Sequence, residues 1–199
     1  MAMLRPYRAS DLEALYDICL RTGDSGADAS PLHHDPKVIG HLYAAPYGVL
    51  EPENVLVAED EQGVGGYIVG TFDTKAFQAR LEREWWPALR QHYAGIPPET
   101  LTPADKMRVD AIREPSANPA DLVRRFPAHI HMNLLPRLRG QRVGSGLLQR
   151  WIEQAKAATV PGIHLGASAE NTGGVAFWSK SGFVPLEAIG RAVWFGMTL

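Results

Sequence analysis

Residues 126–149 read FPAHIHMNLLPRLRGQRVGSGLLQ and decide the fold. Polar and apolar side chains alternate from His129 to Leu134, which predicts a strand. Pro136 has no backbone N–H, so strand pairing should stop or splay there. Apolar side chains then recur at helical spacing, in Val143, Leu147, Leu148, Trp151, Ile152 and Ala155. The stretch therefore predicts a strand, a glycine loop and a helix.

The loop has the features of an anion-binding site. A strand followed by a glycine loop and a helix start arranges free backbone N–H groups around a phosphate. Glycines without a Cβ let the backbone approach a bulky anion, and arginines add positive charge. These residues are Gly140, Gly144, Gly146, Arg137, Arg139 and Arg142. The alternative is a plain turn into a helix with a basic rim.

Composition limits the class of protein. The 199 residues predict a single domain covering 1–199, and 45% hydrophobic and 21% charged residues are typical of a soluble globular chain. A formal net charge of -2 argues against a nucleic-acid partner. The one cysteine, Cys19, excludes an internal disulfide and a cysteine-based zinc site. No signal peptide and no membrane-spanning run is recognised, so we expect a cytoplasmic protein without a membrane partner.

The rest of the chain alternates strand and helix patterns. Residues 54–71 predict an antiparallel hairpin with a turn at 60–63. Residues 75–93 predict a helix in which Pro87 causes a kink, and Trp85 and Trp86 point about 100° apart, one toward the core and one toward a neighbour or a cleft. His33, His34 and Asp35 allow a metal site, but adjacent histidines seldom bind one ion and no further ligands follow, so the start of a second helix is favoured.

A second motif, NTGGVAFWSKSGF, occupies residues 171–183. Together, residues 141–146 and 171–183 resemble the GNAT acetyltransferases, whose patterns are Q/R-x-x-G-x-G/A and N-x-x-A-x-x-(F/L)-Y-x-K-x-G-F. Gly174 replaces the alanine of the second pattern, and Trp178 replaces its tyrosine. The spacing of the two motifs and the order of strands and helices also match the family.

Nearly the whole chain resembles a narrower group, the acetyltransferase-like domain at the C-terminus of animal O-GlcNAcases and its free-standing bacterial relatives. The resemblance implies an α/β (α+β) GNAT fold, with a central mixed, mostly antiparallel sheet flanked by helices and a two-helix insertion at about 75–125. In the animal domain the glycine loop is degenerate, whereas residues 141–146 keep the pattern. The resemblance therefore implies acetyl-CoA as cosubstrate, no metal, an amine acceptor and a possible homodimer.

The resemblance also implies a set of cofactor-binding residues. The strands near 133–135 and 163–167 should splay, and the pantetheine arm should bond to the free backbone of Leu134 and Leu135. The pyrophosphate should meet the backbone N–H groups of residues 142–146. Expected cofactor contacts are Leu134, Leu135, Arg142, Val143, Gly144, Ser145, Gly146, Asn171, Phe177, Trp178 and Lys180. Asn171 has the alternative role of a helix cap.

Catalysis by this family needs a base for the amine proton and an acid for the leaving thiolate. His129 and His131 share one strand face and are the candidate bases, with ordinary packing as the alternative. Asn133 continues that face and is expected to orient substrate or water. Trp178 stands where the family often has a tyrosine that acts as the general acid. The remaining candidates for this acid are Ser179, Tyr43 and water.

Two questions stay open at this level. Aspartates in loops, Asp24, Asp28 and Asp73, either border an acceptor cleft for a cationic amine or form turns. The chain is either an acetyl-CoA-dependent N-acetyltransferase or a pseudo-acetyltransferase that binds acetyl-CoA or a partner without turnover. The intact glycine loop favours the enzyme, and Trp178 favours the pseudo-enzyme.

Overall fold

A mixed sheet forms the centre of the computed structural model, which describes residues 2–189 and 192–199. Within those residues seven strands are ordered β1-β2-β3-β4-β5-β7-β6. Only β4 and β5 pair in parallel, so the predicted mostly antiparallel sheet is confirmed. The strands are β1 Met3–Pro6, β2 Leu56–Asp60, β3 Gly63–Thr71, β4 Ala128–Leu134, β5 Gly162–Ser168, β6 Val184–Ile189 and β7 Ala192–Thr198.

Helices cover both faces of the sheet. They are α1 Leu12–Leu20, α2 Val38–Tyr43, α3 Ala45–Leu50, α4 Thr74–Glu84, α5 Trp86–Ala94, α6 Pro103–Arg113, α7 Ala120–Arg125, α8 Val143–Ala157 and α9 Thr172–Lys180. The segment expected to hold two helices contains α4 to α7. Pro87 lies in the first turn of α5, where its missing N–H costs no helical bond, so the predicted kinked helix is two helices.

The alternation of side chains along the strands divides the core into two layers. On one face, Tyr67, Val69 and Leu135 pack against α1, α3 and the inserted helices. On the other face, Ile68 and Ile130 pack against α8, whose Trp151 is fully buried and donates its indole N–H to Asn54 O at 2.9 Å. Each fully buried aliphatic or aromatic side chain contributes roughly 1.5–3 kcal/mol of transfer free energy.

A buried ion pair ties β1 to the start of α1. The Arg5 guanidinium donates to Asp11 Oδ2 at 2.7 Å and Oδ1 at 2.9 Å, and to Glu59 Oε2 at 2.6 Å. Arg5 and Asp11 are both buried. The Arg5 hydrogen bond holds the pKa of the Asp11 carboxyl below its usual range, so this carboxylate is ionised in the folded protein.

Across the described part of the chain, no helix combines the length and apolar character needed to cross a membrane.

Candidate functional site

The strands β4 and β5 separate soon after they meet. Their parallel register contains only Ala128 opposite Ile163 and His129 opposite His164, although both strands continue. Pro136 starts a short 3-10 turn directly after β4. The splay predicted from the sequence is therefore present, and we call the opening between the two strands the β4–β5 gap.

Backbone groups on β4 face this gap. Leu135 N–H donates to Gly65 O at 2.8 Å, and Leu135 O accepts from Leu138 N–H at 3.0 Å. The expectation of free backbone at Leu135 is therefore wrong. Bonded and non-bonded pairs alternate along an antiparallel ladder, so Leu134 and Met132 direct their N–H and C=O groups toward β5 instead.

The N-terminus of α8 offers free donors beside the gap. Arg142 precedes the helix with φ 61° and ψ 9°, in the left-handed region, and no side chain caps the first turn. The N–H groups of Val143, Gly144 and Ser145 precede the first intrahelical bond and have no helical acceptor. The helix dipole adds partial positive charge at this end, so the turn favours an anion.

Gly146 has a different role from the one expected. Its N–H donates to Arg142 O at 3.0 Å, which is the first helical bond of α8, so it has no free donor for a phosphate. A Cβ built on Gly146 would lie 2.8 Å from Leu4 Cδ1. The glycine lets α8 approach β1, and the prediction that its N–H binds pyrophosphate is wrong.

Gly144 lies where α8, β4 and α9 come closest together. A Cβ there would lie 3.3 Å from Leu134 Cδ1 and Met132 Cε, and 3.5 Å from Phe177 Cε2. These contacts are tight but not forbidden. A larger side chain at this position would enter the space between the helix start and the β4–β5 gap.

A cavity of about 560 Å³ opens from the gap beneath the inserted helices. Its walls come from α2 to α6, the loop before α7, and β4, β5 and β7. The side chains that line it include Tyr43, Tyr47, Phe77, Gln78, Glu82, Trp86, Ala111, Asn118, His129, His131, His164 and Trp194. We call it the histidine cavity, after the three histidines that β4 and β5 contribute.

His129 is buried, and both its ring nitrogens have partners. Thr74 Oγ1 donates to Pro127 O at 2.6 Å, so it accepts from His129 Nδ1–H at 2.7 Å. His129 Nε2 then accepts from the Tyr47 hydroxyl at 2.6 Å. Burial and neighbouring histidines lower the pKa of His129 well below its usual range. A neutral imidazole with no free nitrogen does not suit the predicted role of direct base.

His131 is the histidine with an available ring. It is half-buried, lines the histidine cavity, and makes no side-chain hydrogen bond within residues 2–189 and 192–199. The rings of Tyr43 and Tyr47 each lie 5.7 Å from it. Burial and the nearby His164 lower the pKa of His131 to about 4, so its imidazole is neutral at pH 7 and can accept a proton.

Asn133 is held by hydrogen bonds within the protein. Its Nδ2 donates to Thr22 Oγ1, and its Oδ1 accepts from the Tyr67 hydroxyl at 3.1 Å. These bonds favour a structural role over the predicted orientation of substrate or water, which stays a prediction. Asn133 fixes the start of the 22–28 loop to β4.

Two further contacts hold the 22–28 loop over the end of the gap. Arg139 donates to Leu134 O at 2.9 Å and to Gly26 O at 2.7 Å. Ser25 Oγ lies 3.3 Å from Ser168 Oγ at the end of β5. The loop therefore joins the diverging ends of the two strands, and the Leu134 carbonyl is already occupied.

His164 was missed at the sequence level. It is fully buried, its Nδ1–H donates to Phe126 O at 2.6 Å, and its Nε2 accepts from Asn118 Nδ2 at 3.0 Å. Burial lowers its pKa, so it is also neutral. The signal was its place opposite His129 in a parallel pair, which only the register between the two strands could reveal.

The second motif is mainly structural. Asn171 Oδ1 accepts from Gly174 N–H at 2.9 Å, so this side chain is the cap of α9. Trp178 is buried between the rings of Phe177 and Phe183, at 5.0 and 5.4 Å, which favours a packing role, and its predicted cofactor contact stays a prediction. Lys180 is exposed on α9, and Phe177 alone of the predicted α9 residues approaches Gly144.

Of the two candidate acids and the two adjacent tryptophans, one of each lies in the histidine cavity. Tyr43 lines the histidine cavity and accepts a hydrogen bond from Arg108 at 3.2 Å, whereas Ser179 donates to Val175 O on α9, outside the cavity. Trp86 lines the cavity, while Trp85 donates to His41 O at 3.0 Å. Trp85 lies between α4 and α5, so the 100° separation expected for two residues of one helix does not apply.

The loop aspartates and the paired histidines are structural. Asp73 caps α4, and Asp28 accepts from Ser30 in a turn. His33 Nδ1 contacts the buried Asp105 carboxylate at 2.7 Å. Among the described residues no group of three or more potential metal ligands is found.

Comparison with known proteins identifies the family. No protein-family model matches the chain. The crystal structure of SsHAT is 34% identical, covers 99% of this chain and 98% of its own, and superposes with a TM-score of 0.90. O-GlcNAcase of Rattus norvegicus is 25% identical over 180 residues, which are 90% of this chain but only 20% of that protein's length.

A more distant structure confirms the fold. PaiA N-acetyltransferase from Thermoplasma acidophilum, solved in complex with coenzyme A, covers 100% of this chain and 99% of its own, with a TM-score of 0.61 and 13% identity. At that identity the likeness concerns the fold alone. The identity to SsHAT over nearly the whole length carries the family assignment. The chain therefore belongs to the GNAT acyltransferase family, in the group that contains SsHAT.

Proposed function

We propose that the chain transfers an acetyl group from acetyl-CoA to an amine bound in the histidine cavity. One observation carries the proposal: β4 and β5 separate after their last pair and both line the cavity in which His131 has a free ring, while the uncapped start of α8 follows β4 in the chain. The complex of PaiA with coenzyme A supports acetyl-CoA as the donor.

The chain has the donors that this cosubstrate requires. The first-turn N–H groups of Val143, Gly144 and Ser145 suit the pyrophosphate, because they are unpaired by the helix and reinforced by its dipole. Met132 N–H and C=O, and Leu134 N–H, suit the amides of the pantetheine arm, because they face the gap beyond the last β5 pair. Leu134 O is less suited, since Arg139 already donates to it.

Acetyl-CoA supplies a thioester that an amine can attack directly, with formation of the C–N bond and loss of the C–S bond. His131 is the group suited to accept the amine proton, since its neutral ring has no other partner in the described chain. The Tyr43 hydroxyl is the group suited to return a proton to the thiolate, because it lies in the same wall with its ring 5.7 Å from that of His131.

Calorimetry with acetyl-CoA tests the binding half of the proposal. In Gly144→Val the branched side chain would extend beyond contacts that are already 3.3 Å for a Cβ, so we expect Kd to rise about tenfold or more. Gly95→Val is the matched control, because Gly95 is exposed at the end of α5 with nothing closer than His92 O at 3.6 Å. Equal Kd values for both variants would show that the first turn of α8 does not bind the pyrophosphate.

Thiol release with a panel of amines tests the chemistry. His131→Gln keeps a polar side chain but has no basic nitrogen, so we expect kcat/KM to fall about 100-fold while the Kd for acetyl-CoA stays within about twofold. Unchanged kcat/KM in this variant would rule out His131 as the base. Binding of acetyl-CoA without thiol release from any amine would support a non-catalytic binding module instead.

A further inference from the structure

Five aromatic side chains besides the histidines line the histidine cavity. Tyr43 and Tyr47 come from α2 and α3, Phe77 and Trp86 from α4 and α5, and Trp194 from β7. Tyr47 and Phe77 stack with their ring centroids 4.6 Å apart. Aromatic side chains contributed by several elements suit a ring more than a flexible aliphatic chain.

The inserted helices form part of the wall of this cavity. Ala111 of α6 and the loop at 115–118 line it together with the strands. Its volume of about 560 Å³ accommodates a one-ring molecule together with the acetyl end of the donor. The size of the cavity therefore suits a small molecule.

Positive charge is poorly accommodated in the cavity. The one carboxylate among its described lining residues is Glu82, which is exposed and accepts from Arg90 Nη1 at 2.8 Å and Nη2 at 3.1 Å. The histidines His129, His131 and His164 are all neutral, because burial lowers each pKa. An alkylammonium group without a counter-ion would meet the same free-energy cost of burying a charge that lowers these pKa values.

Among the described residues, one donor in the wall has no hydrogen-bond partner. The Trp194 indole N–H is buried and makes no hydrogen bond within the described ranges 2–189 and 192–199. Trp194 also packs 6.0 Å from the ring of His164. Buried donors are normally satisfied, so this indole N–H is open to an acceptor atom such as the acetyl carbonyl oxygen of the donor or a water molecule.

We propose that the acceptor is a small aromatic amine that is uncharged at neutral pH, with its ring between the aromatic walls and its amino group at His131. The inference rests on the proposed acetyl transfer and deepens it. The amino group forms the C–N bond and gives its proton to His131, and the released thiolate takes a proton from Tyr43 or water. An aromatic amine needs no counter-ion, since it enters without charge.

The test compares matched acceptors at saturating acetyl-CoA and pH 7. The probes are 4-methylaniline, 4-methylbenzylamine, cyclohexylamine and a lysine-containing peptide. Thiol release is expected to be fastest with 4-methylaniline, by about tenfold in kcat/KM over each of the others. A higher kcat/KM for the lysine peptide or for 4-methylbenzylamine would overturn the inference while leaving the proposed acetyl transfer intact.

A cavity-filling variant tests where the acceptor binds. Ala111→Leu adds volume at the helical wall, far along the chain from the donor-binding strands, and should lower kcat/KM for 4-methylaniline about tenfold with acetyl-CoA binding unchanged. Ala79→Leu on the exposed face of α4 is the control and should match the parent. Equal kcat/KM in the two variants would overturn the placement.

Direct binding measurements distinguish a failure of the proposed acetyl transfer from a failure of the inferred aromatic-amine site. If acetyl-CoA binds but no probe is turned over, the proposed function fails, and calorimetric titration of 4-methylaniline into the acetyl-CoA-loaded protein decides the inference. Binding that Ala111→Leu weakens supports an aromatic-amine site, and absence of binding overturns it.

Discussion

Acidification from pH 7 to pH 5 is expected to destabilise the protein in part through His131. Its pKa falls from an unfolded value near 6.5 to about 4, because partial burial of the ring and the charge of the nearby His164 disfavour its protonated form. Between these two values the unfolded chain binds more protons than the folded one, so the stability is present above pH 6.5 and is lost as the pH falls. About 1.5 pH units of this window lie above pH 5, and each unit corresponds to about 1.4 kcal/mol, which gives a loss of about 2 kcal/mol.

Urea unfolding at pH 7, 6 and 5 measures this loss. His131→Leu removes the titrating ring without breaking a described hydrogen bond, so its free energy of unfolding should fall about 2 kcal/mol less than that of the parent over the same range. Gln78→Met alters the same cavity wall without a titrating group and should keep the parent's slope. If parent and His131→Leu lose equal stability, the buried neutral state of His131 is refuted.

Three further substitutions test the structural roles. Tyr47→Phe leaves the buried His129 Nε2 unpaired, so urea unfolding should show a loss of about 1–3 kcal/mol; no loss would contradict the bond. Arg5→Met leaves Asp11 buried without its cation, and the same assay should show a loss of about 3 kcal/mol, whereas a neutral effect would deny that the pair is buried. Asn171→Ala should cost about 1 kcal/mol through the lost cap with acetyl-CoA binding unchanged; a large rise in Kd would restore the cofactor role.

The core of the fold was predictable because its signals are local. Residues 126–149 carry the strand alternation, Pro136 and the helical spacing of α8 within one short stretch, and each is confirmed. The hairpin of β2 and β3 was predictable from its turn residues for the same reason. The family resemblance supplied what local patterns lack, the order in which distant strands pair.

The state of the site residues was not predictable, because it depends on partners far away in the chain. His129 is occupied by Tyr47 and Thr74, and Asn133 by Thr22 and Tyr67, and no spacing rule links these positions. Their residue types fitted catalysis equally well. Only the packed structure decides that these two side chains are engaged.

The roles of the glycine loop divide in the same way. The pattern at 141–146 predicted a helix start with free donors, and Val143 to Ser145 have them. It did not separate Gly146, whose N–H begins the helical bonding and whose missing Cβ admits Leu4. A glycine needed for close packing and a glycine needed for anion binding cannot be distinguished from the sequence alone.

A crystal structure with bound acetyl-CoA would show the donor site and the acceptor cavity together. We expect pyrophosphate oxygens about 3 Å from the N–H groups of Val143, Gly144 and Ser145, the pantetheine arm in the β4–β5 gap, and the acetyl group in the histidine cavity beside His131. A pyrophosphate bound away from the α8 turn, or an acetyl group outside the cavity, would contradict this expectation.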